Sequence, residues 1–286
     1  MSRALRYTVA ATAMAAALAL TASPASAQQA AIDSGLGYLR STQNADGSWG
    51  GTPTSLNTVL QTTATAARTL QLLGLTEPSL TTALGFLTAQ TPDTVDGLAH
   101  QGEVLAASGV DVTALVASIK SAQQGDGGWG IDLEQAFPSA VVDTLAAVRA
   151  LTVADALDPT ATAAALGFLL GNQNPDGGWG ILKDQPSQVF YTALALLALK
   201  EFQQAFDLSA PLTAGTQFLA AQQNPDGSFG GSAFETALAF QALVRYTLNS
   251  TSRSAVISFL TSTQLANGSW AEDAFSTALV LRALQD

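Results

Sequence analysis

Gln173-Asn174-Pro175-Asp176-Gly177-Gly178-Trp179-Gly180 decides the fold, because the chain keeps rewriting it. Gln43-Asn44-Ala45-Asp46-Gly47-Ser48-Trp49-Gly50 opens the series and Gln123-Gln124-Gly125-Asp126-Gly127-Gly128-Trp129-Gly130 follows. Gln223-Asn224-Pro225-Asp226-Gly227-Ser228-Phe229-Gly230 and Gln264-Leu265-Ala266-Asn267-Gly268-Ser269-Trp270 complete it. A recurrence near 50 residues marks repeated supersecondary units that bury their apolar faces against one another.

Outward from each phrase the chain reads as helix, turn, helix. Thr160–Asn172 is rich in Ala and Leu and free of internal Pro, so it is helical. Asn174-Pro175-Asp176-Gly177-Gly178 stops it: Pro presets φ, Asp accepts local backbone bonds, and Gly allows positive φ. Ser187 is placed to cap a second helix over Val189–Phe206. The same pairing joins Ile32–Thr42 to Thr54–Leu73, Val112–Ala122 to Ser139–Val153, Ala210–Gln222 to Ala233–Leu248, and Ser252–Thr263 to Asp273–Leu284. An eroded copy, Ser79–Ala89 with Gly97–Ser108, keeps Phe86-Leu87 and Gln90 but has no Trp. Six pairs give 12 helices, and no polar capping repeat stands at either end, as closure into a double ring predicts.

The second helix of each intact pair carries Thr63, Thr144, Thr192, Thr236 or Thr277, with a Leu seven residues on. Such a Thr can bond back to the preceding turn. The small residues around it allow close approach from both sides, so these helices are expected to form the inner ring. Gln43, Gln123, Gln173, Gln223 and Gln264 are expected to clamp an outgoing helix to an incoming one through their amides. Trp49, Trp129, Trp179, Phe229 and Trp270 would cover those amides. Phe229 suggests that the flat ring matters more than the indole N–H.

The first 27 residues read differently. Arg3 and Arg6 precede an Ala/Leu-rich stretch, and Ala25-Ser26-Ala27 is an A-x-A cleavage site, the pattern of a secretory signal. The expected mature chain, 28–286, is a single toroid domain, secreted or periplasmic and without a later membrane span. The whole chain has 11 basic and 22 acidic residues, and removing the two basic residues of the signal leaves a formal charge of −13. With no basic stripe to replace phosphate counterions, nucleic acid is not an expected partner. The absence of Cys removes thiol nucleophiles, disulfides and Cys-containing zinc sites.

The pattern Phe/Tyr-Leu-x-x-x-Gln-x-x-Asp-Gly-x-Trp-Gly, as in Tyr38-Leu39…Gln43…Trp49 and Phe168-Leu169…Gln173…Trp179, resembles the QW-type repeats of the squalene–hopene cyclase and protein prenyltransferase β-subunit superfamily. The resemblance spans essentially all of 28–286. It implies an all-α α6/α6 toroid of prenyltransferase/squalene-oxidase-type repeats. Cyclases of that group protonate their substrate from an Asp-x-Asp-Asp-Thr run, and the nearest match here, Ala140-Val141-Val142-Asp143-Thr144, keeps the last Asp alone. Prenyltransferases hold zinc with Asp, Cys and His. Here the positions before the Thr are Thr62, Asp143, Tyr191, Glu235 and Ser276, so no metal and no cofactor is expected.

Asp143 and Glu235 are the candidate catalytic carboxylates, although a first helical turn favours acids for its dipole alone. Phe190, Tyr191, Phe234 and Phe275 are the candidate pocket residues, because they match one another just ahead of the Thr. Loops 52–58, 131–138 and 181–188 should rise on one face and frame the ligand site. Lys183 stands alone there as a cation, and His100 with Glu103 reads as an exposed polar pair. The sparse acids favour a toroid that binds an apolar small molecule or an extracytoplasmic protein without catalysis. The alternative is a divergent triterpene cyclase or prenyltransferase-like enzyme with Asp143 as general acid. A polysaccharide-acting enzyme fits least, for want of a lyase His/Tyr/Arg set or a hydrolase acid pair.

Overall fold

The computed structural model describes residues 24–286 apart from 245 and 247. All but the last four residues of the expected signal segment lie outside the described residues. Among the described residues there are twelve helices and no strand beyond isolated bridges: α1 (Pro24–Thr42), α2 (Val59–Leu72), α3 (Pro78–Thr88), α4 (Val95–Ala107), α5 (Thr113–Ser121), α6 (Val141–Val153), α7 (Pro159–Gly171), α8 (Val189–Lys200), α9 (Ser209–Ala221), α10 (Ala233–Leu243), α11 (Ser250–Ser262) and α12 (Ala274–Gln285).

Each even-numbered helix packs on the next, and α12 packs on α2, so the inner ring closes. The odd-numbered helices pack outside it. Small side chains permit the inner approach: Ala66, Ala147, Ala195, Ala239 and Ala278 are fully buried. Two bonds seal the join. Thr69 Oγ1 donates to Ala278 O at 3.1 Å, and Gln264 Nε2 donates to Ala31 O at 2.8 Å.

The repeated phrase works differently from its sequence reading. Gln173 Nε2 donates to Gly177 O (2.8 Å) in its own turn and to Pro211 O (2.9 Å) in the first turn of α9. Gln43 reaches Ser79 of α3, Gln123 reaches Ala161 of α7, and Gln223 reaches Ser252 of α11 in the same way. The amide therefore ties one outer helix to the next outer helix, not outer to inner. The outer-to-inner link is made by the ring residue. Trp179 Nε1 donates to Leu169 O (2.8 Å) near the end of α7, while its backbone N–H donates to Thr192 Oγ1 (2.9 Å) in α8.

Trp49, Trp129 and Trp270 repeat both bonds. Their indole N–H groups thus satisfy helix-end carbonyls that would otherwise be orphaned in a dry core. Phe229 keeps only the backbone bond, to Thr236 Oγ1, so it is the exception and not the rule that Phe229 alone suggested. In the eroded repeat Gln101, from α4, supplies the missing donor to Leu87 O at 2.6 Å.

Turn chemistry matches expectation. Asp176 Oδ1 accepts from Gly178 N (3.0 Å), and Gly177 sits at φ +89°. Ser187 is not the cap of α8. Its hydroxyl donates to Asp176 at 2.7 Å, and Gln188 takes the cap position without a side-chain bond. That helix also stops at Lys200, short of Phe206, where bonds such as Phe202 N to Leu199 O tighten to three-residue spacing.

Candidate active site

A cavity of about 540 Å³ runs inside the ring, with lining from all six inner helices. At the N-terminal ends of those helices Phe190, Tyr191 and Phe275 line it. Phe234 does not line it. It packs edge-on between Phe190 (centroids 6.1 Å apart) and Phe275 (6.2 Å), completing an aromatic row. Loops 131–138 and 181–188 stay out of the cavity because they fold onto neighbouring helix starts: Ile131 O accepts from Val95 N, and Ile181 O from Val141 N. Of the three loops only the first contributes, through Asn57. At the opposite end Leu72, 56% exposed, and the exposed Glu201 line the last turn, so the cavity meets solvent there.

His100 and Glu103 are not an exposed pair. Both line the cavity, and Glu103 is buried. Glu103 Oε2 accepts from Arg149 Nη2 at 2.6 Å and Oε1 from Arg68 Nε at 3.2 Å. Burial pushes the Glu103 carboxyl up, but Arg149, Arg282 and Arg68 together outweigh it and hold its pKa at about 2. Arg282 also lines the cavity. Its Nε donates to Thr69 Oγ1 (2.7 Å) and its Nη2 to Thr65 O (2.7 Å). The lone Lys183 expected from sequence thus has an internal counterpart of three arginines.

The missed signal was positional. Five residues after each inner-helix Thr stand Arg68, Arg149, Leu197, Gln241 and Arg282, and two residues after it Thr65, Ala146, Leu194, Leu238 and Leu279. All of these line the cavity, one helical turn per step.

Asp143 lies just behind the lining, 7% exposed, between cavity residues of α4 and α8. Desolvation, reinforced by the charge of Asp96 and opposed by His100, pushes its pKa up to about 6. Asp96 and His100 face each other: His100 Nδ1 stands 3.2 Å from Asp96 Oδ1, and Gln61 Nε2 donates to Asp96 Oδ2 at 2.6 Å. Burial acts against both charges, yet their mutual attraction lowers the Asp96 pKa and raises that of His100. Burial thus favours the neutral form of one carboxyl while the pair beside it favours its own charged forms, the separation of pKa values that acid–base chemistry uses. Glu235 is not part of it. Its Oε2 accepts from Ser232 Oγ at 2.8 Å at the start of α10, and it does not line the cavity.

The chain belongs to the prenyltransferase α-α toroid domain family, which it matches over residues 2–98 and 94–239. A drimenyl diphosphate synthase from Streptomyces showdoensis is 38% identical over 65 residues, which is 23% of this chain and 12% of that protein's length. The fold is similar to the type II terpene cyclase MstE from Scytonema in complex with its substrate geranylgeranyl dihydroxybenzoate, with a TM-score of 0.74 at 17% identity, covering 91% of this chain and 97% of that one. It is also similar to ent-copalyl diphosphate synthase from Streptomyces platensis (TM-score 0.60, 20% identity), covering 79% of this chain and 49% of that one. The GH76A α-1,6-mannanase from Salegentibacter shares the ring as well (TM-score 0.66, 12% identity, 91% and 99% covered). At these identities the structural likeness is one of fold.

Proposed function

We propose that this toroid is a terpenoid cyclase-type enzyme that encloses a short isoprenoid chain and starts its cyclisation with a proton from Asp143. The observation that carries the reading is a buried carboxyl, its pKa pushed up to about 6, just behind the lining at the aromatic end of the ring cavity. A toroid that only holds a ligand has no need of such a group. The proton leaves Asp143 and adds to an alkene carbon of the chain, which leaves a carbocation on its neighbour. Faces of Phe190, Tyr191 and Phe275 favour that cation electrostatically. Attack by an internal alkene closes the ring, and loss of a proton from carbon ends the sequence, so the product is an isomer of the substrate. The charge of Asp96 disfavours the spent Asp143 carboxylate and so favours its reprotonation.

Size narrows the substrate. At about 30 Å³ per heavy atom, the share of a water molecule in the liquid, 540 Å³ holds on the order of 18 heavy atoms. That suits a chain of about 15 carbons with a small head. The N-terminal segment, in this reading, exports the enzyme, and N-terminal sequencing of secreted protein should begin at Gln28.

The test is incubation of the purified protein with 15- and 20-carbon isoprenoid carboxylates, alcohols and diphosphates, followed by mass spectrometry for cyclic isomers. The wild type should form them and Asp143→Asn should not. Identical product profiles from the two proteins would end the reading.

A further inference from the structure

Loops 131–138 and 181–188 take no part in the ring cavity, yet both are pinned in place and carry apolar side chains into solvent. Asp132 Oδ2 accepts from Ala136 N (2.8 Å) and its Oδ1 from Phe137 N (3.2 Å). Gln135 Nε2 donates to Ser121 O and Gln123 O, each at 3.1 Å. Asn174 Nδ2 holds the second loop through Gln185 O at 2.8 Å. Phe137 is nevertheless 58% exposed and Leu182 38% exposed. Apolar side chains held in water on a fixed backbone are preorganised for contact with another molecule.

A groove on the outside of the ring joins these loops to α7. Asp126, Pro138 and Lys183 line it from the turn and loops, and Gly167, Gly171 and Asn172 line it from α7 and its cap. It shares no lining residue with the ring cavity. Gly167 lies inside α7 and Gly171 closes it, and neither has a positive φ. Glycine weakens a helix relative to Ala. A Cβ at either position would meet nothing within 4 Å, so packing inside this chain does not demand glycine there. Among the outer helices of the five intact phrases α7 alone has Gly at both positions. The matching pairs are Gly37 and Ser41, Ala117 and Ser121, Gln217 and Ala221, and Ser258 and Ser262. Bare backbone at the floor of a groove admits the close approach of another backbone.

Asn172 points to a ligand independently. It is only 8% exposed, and its Nδ2 donates to Phe168 O at 2.7 Å, while its Oδ1 accepts no bond among the described residues. A buried amide oxygen left open in a groove is an acceptor for an incoming N–H. Charge selects the ligand. Segments 123–139 and 173–188 carry Asp126, Asp132, Glu134, Asp176 and Asp184 against one base, Lys183. None of the five carboxylates is in an ion pair among the described residues. A second copy would set the same excess of carboxylates against itself, and an anionic lipid surface would be repelled.

We propose that this groove docks a basic polypeptide segment. Its backbone lies against Gly167 and Gly171 and donates to Asn172 Oδ1, its apolar side chains meet Phe137 and Leu182, and its Lys or Arg side chains face the carboxylates. The groove is outside the ring, so docking there is independent of the chemistry in the cavity.

The test is calorimetric titration with octapeptides of alternating Lys–Leu, Ser–Leu and Glu–Leu. Wild-type protein should bind the Lys–Leu peptide about 10-fold more tightly than Ser–Leu, and Glu–Leu least, with the preference shrinking as salt is raised. Gly167→Leu combined with Gly171→Leu fills the groove at open positions and improves helix propensity. It should melt no lower than wild type while losing about 10-fold in Lys–Leu affinity. Phe137→Ser, on an exposed loop, should also weaken that peptide, and Gly37→Leu, an equally open position on α1, should bind as wild type.

Equal affinity of wild-type protein for Lys–Leu and Ser–Leu would overturn the docking groove. So would full binding by the double Leu variant, or an equal loss in Gly37→Leu. A dimer in sedimentation that the double variant abolishes would give the groove to a second copy, and preferential binding of phosphatidylglycerol vesicles would give it to a membrane; either result overturns the basic segment. If the double variant fails to fold, Phe137→Ser and the wild-type comparison decide.

Discussion

The outer seam of the ring and its inner wall are built from the same helices by opposite rules. The seam repeats: Gln to turn carbonyl, Gln to next outer helix, ring residue to inner Thr, with the indole bond in four of its five phrases. The inner wall does not repeat. Its turn five residues past the Thr is Arg in α2, α6 and α12 but Leu in α8 and Gln in α10. One side of the cavity is therefore charged and the other is lined by Leu194, Leu197, Leu238 and Phe190. Repetition serves closure, because every joint of a closed ring meets the same geometry.

Changes to the wall should act on chemistry and pH response, and changes to the seam on stability. The largest expected effect is loss of cyclic product in Asp143→Asn by about 100- to 10,000-fold, the usual contribution of a positioned acid. Wild-type turnover should fall as pH rises through about 6, because the neutral carboxyl is the active form. Initial rates between pH 5 and 8 read this directly.

On the seam, Trp179→Ala should cost about 3–5 kcal/mol, since it empties a fully buried ring site and leaves Leu169 O unpaired. Urea denaturation measures it. The wall offers a counterpart of opposite sign. Below pH 4 Asp143 is neutral folded or unfolded. Between about 4 and 6 only the unfolded chain gives up the proton, so stability falls as pH rises through that window. A two-unit rise corresponds to about 3 kcal/mol at most, so Asp143→Asn should be the more stable protein at pH 7 even as it loses activity. Glu103 acts the other way: its contribution is present above pH 4.5 and is lost as pH falls toward 2.

The smallest effect separates two copies of the same joint. Gln264 makes both its bonds at 2.8 Å, while those of Gln223 are 3.4 and 3.3 Å. Gln264→Ala should therefore lower stability by about 1–2 kcal/mol and Gln223→Ala by less. Equal losses would show that closure between α11 and α1 places no special demand on its joint.

Much of this was legible in the residues. The Asn-x-Asp-Gly turns announce their geometry because Asp and Gly each have one physical reason to be there. Asp143 was singled out by its match to the last Asp of an Asp-x-Asp-Asp-Thr run, and the aromatic row by matching positions ahead of the Thr. His100 and Glu103 escaped because the eroded repeat has no Trp to count from. Without it the phase of α4, which sets Asp96, His100 and Glu103 on one face, could not be fixed. Nor does linear order show that Gln173 reaches Pro211, 38 residues away, in preference to the helix beside it.

By itself, then, the sequence determined the ring: the spacing of Gln, Gly, Trp and Thr specifies local turns and the unit that repeats, and those interactions are short in range or identical at every joint. Only the tertiary structure decided what the ring encloses. Arg68, Glu103, Arg149 and Arg282 sit on four helices, as much as 214 residues apart along the chain. Their charges meet in one cavity, and the Asp143 pKa is pushed up to about 6, only because the packing of the helices brings these groups together and keeps water away.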